Sequence, residues 1–148
     1  MSIDAQLQHL SDIEEIKALK ALYGLTIDSL VSRPDEATAK SLERVFTADA
    51  VVDFGDTGRF VGTAEIADWF GVTLPNMARA MFHSMHSPLV EIDGTRARGR
   101  WTVTARMIMR DAPADSAAGV QFGRYDDEYV RTDDGWRQSR LLFTAEPN

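Results

Sequence analysis

The feature that most constrains this chain is a change of hydrophobic period near Met81. Before it, Leu7, Leu10, Ile13, Ile16, Leu19, Leu22, Tyr23, Ile27 and Leu30 recur at the i, i+3, i+4 spacing of an amphipathic helix. After it, the pattern alternates. Residues 82–92, 98–110, 120–131 and 136–145 read as four strands, and Asp93-Gly94 and Asp134-Gly135 supply tight hairpin turns in which glycine accepts positive φ. Helices followed by a hairpin-linked meander predict an α+β domain rather than a parallel α/β sheet. On the strand around Trp101, Val103, Ala105 and Met107, the opposite face carries Arg100, Thr102, Thr104 and Arg106. One face of the sheet must therefore be covered by the helices and the other is polar.

The helical half can be divided further. Ser11 and Glu14 have capping-box spacing, which predicts a regular first helix from that point, and Pro34 marks its end. A second helix is expected over residues 35–46, a strand over 50–54 with a short partner at 59–61, and a third helix capped by Thr63. Residues 111–118 read as a loop. A chain of 148 residues with 44% hydrophobic and 26% charged residues fits one domain, 1–148, with a core large enough to need no staple.

Composition narrows the function classes. The formal charge of −7, with basic residues interleaved among acids, argues against a nucleic-acid partner. No apolar run has the length of a membrane span, and the N-terminus lacks a signal-peptide pattern. Cysteine is absent, which removes disulfides, thiolate nucleophiles and Cys-based metal sites and fits a cytoplasmic protein. His83 and His86 fall on opposite strand faces, so no metal site is expected.

Phe46-Thr47-Ala48-Asp49-Ala50-Val51-Val52-Asp53-Phe54, then Gly62-Thr63-Ala64-Glu65-Ile66, then Gly123-Arg124-Tyr125-Asp126-Asp127-Glu128 with Arg131, Asp134, Gly135 and Trp136, occur in one order and spacing. In these segments the chain resembles SnoaL-like proteins of the nuclear transport factor 2-like superfamily. The resemblance implies a cone: a curved, mostly antiparallel sheet packed on three helices from the N-terminal half (a cystatin-like α+β roll), with a small-molecule pocket inside. Family members include scytalone dehydratase, bile acid dehydratase and lindane dehydrochlorinase, as well as non-catalytic subunits, so fold alone does not fix chemistry.

The resemblance also implies a site. Asp28 matches the helix carboxylate and His83 the sheet imidazole of the dehydratase branch, and Tyr23 matches a tyrosine five residues before the Asp. In that reading His83 is general base or acid, Asp28 orients it and Tyr23 polarises the substrate. Each also has an ordinary structural reading, as a core histidine, a solvated helix-end acid and a core tyrosine. Met107, Phe54 and Ile27 stand where scytalone dehydratase carries polar groups, and Tyr125 replaces its pocket Asn. With Trp69 and Trp101, the residues Phe54, Met107 and Tyr125 are expected to contact a flat or polycyclic apolar ligand.

The resulting expectation is a cofactor-independent, dehydratase-like lyase or an isomerase, self-associating as a homodimer or homotrimer. The alternatives are a non-catalytic binding or partner subunit of the same fold, and a polyketide cyclase that uses Asp28 alone.

Overall fold

Ser2 opens the first element: its hydroxyl accepts the Ala5 N–H at 3.1 Å, and the computed structural model, which describes residues 1–147, runs helix α1 over Ile3–Ser32. The helix thus starts at Ile3 and not at Ser11. Residues 5–10 are good helix formers behind a working cap, so the capping-box spacing at Ser11 lies inside a helix already begun. The buried face starts only at Asp12, and Ile3, Leu7 and Leu10 stay exposed.

Asp35 caps α2 (Glu36–Lys40) by accepting from Thr38 N at 2.8 Å, and the chain then tightens into a 3₁₀ turn over Ser41–Arg44. The expected helix to residue 46 stops short because the sheet captures its end. Gln138 N–H donates to Val45 O at 2.8 Å, and Phe46 already pairs with Gln138, so β1 spans Phe46–Asp53. β2 (Arg59–Val61) precedes α3 (Gly62–Asp68). Glu65 accepts the Val61 N–H at 2.7 Å, so Thr63 lies within this helix rather than capping it. A π-helical turn over Trp69–Thr73 and the short α4 (Leu74–Met77) complete the helical layer.

Four long strands follow: β3 (Ala78–Asp93), β4 (Arg96–Met109), β5 (Gly119–Thr132) and β6 (Gly135–Ala145). The six strands form one curved sheet in the order β2-β1-β6-β5-β4-β3, antiparallel throughout except for the parallel β1–β6 pair. The α+β architecture expected from the change of period is the one observed.

On the inner face, rungs of paired residues descend from one end of the sheet: Met81–Met107–Gly119, His83–Ala105–Gln121, Met85–Val103–Gly123, Trp101–Tyr125–Phe143, then Gly99–Asp127–Leu141. A bulge lies between His86 and Leu89, where Ser87 has φ 52°. The extra residue reverses the parity of β3, turning Val90 and Ile92 against the core instead of the outer face to which a regular strand would assign them.

α1 crosses this face obliquely. Asp12, Lys20 and Asp28 are spaced eight residues apart, slightly more than two turns, so their partners move around the helix. Those partners also walk across the sheet: Trp136 on β6 receives Asp12, Asp127 on β5 receives Lys20, and His83 on β3 receives Asp28. Among the described residues, no helix is long and apolar enough to cross a membrane.

Candidate functional site

Asp28 lies in the last turns of α1, one turn after Gly24. A Cβ at residue 24 would run into the Met85 methyl and sit 3.5 Å from His83 Cβ. Glycine therefore lets the helix backbone come close enough to β3 for a short aspartate to reach it. Both carboxylate oxygens are engaged by one residue: Oδ1 is 2.7 Å from His83 Nδ1, and Oδ2 accepts the His83 backbone N–H at 3.0 Å.

A carboxylate can only accept, so Nδ1 carries the hydrogen and Nε2 is left with a free lone pair. The imidazole is 2% exposed and the Asp28 side chain 19%, so the pair sits at the border between the dry interior and solvent.

Tyr23 continues the line inward. Its ring packs edge-on to the His83 ring at 5.9 Å and to Tyr125 at 5.9 Å, and the two phenol oxygens are 3.5 Å apart. Burial pushes both phenols well above the ordinary tyrosine range, so each is a neutral hydroxyl at any working pH. Phe70, Phe46 and Phe143 pack around the pair.

Phe54 and Trp69 extend this aromatic wall, Phe54 against Phe70 and Phe143, and Trp69 stacked on Phe60 at 4.6 Å. Trp101 is placed deeper, with its indole N over Gly99. Met107 lies at the other end of the inner face, in a cavity of about 360 Å³ that it shares with Met81, Ala105, Ala117 and Gln121. Ala105 is the direct cross-strand neighbour of His83, so this apolar cavity reaches the rung that carries the imidazole. Arg79 donates to the Ala112 and Pro113 carbonyls at 2.7 and 2.9 Å, pinning the 110–118 loop beside it.

Asp28, His83, Tyr23 and Tyr125 are thus brought into one contiguous cluster. Phe54 and Trp69 join it through Phe70, Met107 borders it from the cavity side, and Trp101 lies below it. No group of three metal-ligating side chains occurs among the described residues.

Sequence reasoning missed two charged residues on the buried face of α1. Lys20 Nζ lies 2.8 Å from Asp127 Oδ2, with both side chains at 1% exposure or less. Asp12 accepts from Trp136 Nε1 at 3.2 Å and is paired with Arg131. The signal was available: both fall within the apolar stripe, next to Ile16, Leu19 and Tyr23. A charge inside such a stripe announces a buried partner.

The SnoaL-like domain profile matches residues 8–141. An uncharacterized protein of Mycobacterium tuberculosis is 33% identical over 137 residues, covering 91% of this chain and 86% of its own. A nuclear transport factor 2-like superfamily protein from Salmonella enterica superposes with a TM-score of 0.79 at 16% identity, covering 95% of this chain and 94% of its own. A Novosphingobium aromaticivorans protein provisionally named a scytalone dehydratase superposes at 0.78 with 18% identity (99% and 89% coverage). A type 2 hexachlorocyclohexane dehydrochlorinase does so at 0.74 with 17% identity (99% and 90%). With nearly its whole length matched, this chain has the fold of the nuclear transport factor 2-like structures and is a member of the SnoaL-like family.

Proposed function

We propose that the protein is a cofactor-independent lyase or isomerase that removes a proton from carbon in a small apolar substrate, with His83 as the base. The observation that carries this reading is the two-oxygen grip of Asp28 on His83, through Nδ1 at 2.7 Å and the backbone N–H at 3.0 Å. That grip fixes ring orientation and tautomer together, so Nε2 is presented as the acceptor. The carboxylate also faces the imidazolium that forms when Nε2 takes a proton.

In an elimination, the C–H electron pair becomes the new double bond and the β-substituent leaves with its own pair. His83 then returns its proton to that group or to water. In an isomerisation, the same proton is replaced at another carbon. The Tyr23 and Tyr125 hydroxyls serve as neutral donors to the substrate oxygen, and the cavity lined by Met81 and Met107 receives its apolar part. Two of the fold relatives carry names that denote eliminations, a dehydrochlorinase and a provisional dehydratase, and this supports the lyase form.

Proton abstraction can be tested without knowing the substrate. Wild-type protein is incubated in D₂O with a panel of cyclic ketones, β-hydroxy ketones and chlorinated cyclohexanes, and C–H exchange and product are followed by NMR. The reading predicts exchange with at least one class and a loss of about 10²–10⁴-fold in His83→Ala. Undiminished exchange in His83→Ala, or none in the wild type across the panel, would defeat it.

A further inference from the structure

Beneath the tyrosine pair lies a charged group that the proposed reaction does not use. Lys20 Nζ lies against two phenol faces at once, 3.8 Å from the Tyr125 ring centroid and 4.5 Å from that of Tyr23. Its polar neighbour is Asp127, whose Oδ2 also accepts the Tyr129 hydroxyl at 2.8 Å. The ion pair is short, yet the ammonium has no well-directed hydrogen bond, and Asp127 Oδ1 and Trp101 Nε1 are buried without a partner.

As a stability device this arrangement is poor. Two ions lose their hydration, several polar atoms stay unmatched, and apolar side chains of similar volume would serve packing better. What the arrangement does provide is the ammonium end of an ion pair held against the π-faces of the two hydroxyl-bearing rings. A cation there draws electron density from the ring and strengthens the O–H as a donor.

We propose that Lys20, held in place by Asp127, is a positioning residue for the Tyr23–Tyr125 hydroxyl pair, tuned to an oxygen that gains negative charge. The ligand class that follows is a carbonyl compound, whose oxygen becomes an enolate as His83 removes the neighbouring proton, or a phenol that mimics that enolate. This deepens the proposed function and rests on it for the identity of the base. Lys20 and Tyr23 are three residues apart on α1, so the helix places charge and hydroxyl in one rigid unit. Tyr125 and Asp127 are two apart on β5 and share its inner face, repeating the same pairing from the sheet side. The line His83, Tyr23, Tyr125, Lys20 thus runs from a proton acceptor to an oxyanion site backed by a cation.

The test uses 4-nitrophenol, whose yellow phenolate band reports its own ionisation. Wild-type protein is titrated with it across pH, beside Lys20→Met/Asp127→Asn, which removes both charges and leaves Tyr129 an acceptor. Wild type is expected to bind the phenolate, lowering the ionisation midpoint of the bound probe below that of the free one. The double variant is expected to return that midpoint to the free value and to weaken phenolate binding about tenfold, with affinity for neutral nitrobenzene unchanged. The nitrobenzene arm detects a damaged pocket, because a purely structural role for the pair would weaken both probes together.

In a His83→Ala background the midpoint displacement persists, whereas a failure of the base assignment shows only in the deuterium-exchange assay. Equal midpoints in wild type and double variant, parallel loss of both probes, or no phenolate binding by wild type would each overturn the proposal.

Discussion

Two polar pairs made by α1, a little over two turns apart, are built to opposite specifications. Asp28–His83 stands at the edge of the interior: the carboxylate is 19% exposed, and its partner keeps a nitrogen free. Lys20–Asp127 is sealed, both side chains being at or below 1% exposure, and its ammonium is spent on a carboxylate and two aromatic faces. The first pair keeps its carboxylate in contact with solvent and engages only one of the two ring nitrogens. The second is closed to solvent on both sides. Burial drives Lys20 down and Asp127 up from their ordinary values, while each charge opposes that drift in the other. Exposure, more than charge, separates the two pairs.

The sharpest way to break this contrast is to remove one member of each pair. Lys20→Met strands a buried carboxylate and is expected to cost about 3–5 kcal/mol in urea unfolding. Lys20→Met/Asp127→Asn should regain most of that loss, because the stranded charge is gone. Asp28→Asn leaves a neutral amide beside a partly solvated site and should cost about 1–2 kcal/mol. Equal losses in the two single variants would mean that both pairs share one environment.

A smaller effect tests how Asp28 reaches its partner. Gly24→Ala meets the flexible end of Met85, and the gain in helix propensity of about 1 kcal/mol offsets that contact, so its stability should stay near wild type. Gly24→Val presses on His83 Cβ as well, and should lever α1 away from β3. The expected signature is loss of the slowly exchanging Nδ1–H resonance of His83 in ¹⁵N NMR. The resonance should persist in Gly24→Ala, and its survival in Gly24→Val would show that the close approach at residue 24 does not set the 28–83 contact.

Much of this was legible in the residues, for reasons that can be named. The change from period 3.6 to period 2 and the two Asp-Gly turns marked the α+β order, since both are local backbone requirements. The contact between residues 28 and 83 was reached through family resemblance; spacing alone gives no reason for a helix-end acid to find one strand histidine across 55 positions. Val90 and Ile92 face the core because a single extra residue at the Ser87 bulge, invisible to alternation counting, reverses parity. The second helix ends short of the expected residue 46 because its last turn is claimed by β6, a long-range event. Lys20 stands inside the apolar stripe and so calls for a buried partner, but which carboxylate supplies it, far along the chain on β5, is a long-range matter that the stripe does not encode.

Asp12, the third charge on the same face, gives the smallest and most conditional effect. Burial alone would raise its carboxyl, but the Arg131 guanidinium, Gln8 and the Trp136 indole N–H together outweigh that and hold it below its ordinary value of 3.8. A depressed folded-state value means the native protein binds the proton less readily than the unfolded chain. The stabilisation is therefore complete above about pH 3.8 and is lost as pH falls through the folded-state value. Arg131 is a third exposed, so the pair is screened by solvent and its net worth at neutral pH stays below about 1 kcal/mol. Asp12→Asn should unfold near the wild-type temperature at pH 7 and lose less than wild type between pH 5 and pH 2, narrowing the gap on acidification. If the two thermal-unfolding curves run parallel down to pH 2, Asp12 contributes no acid sensitivity, and its contact with Trp136 is a matter of hydrogen bonding alone.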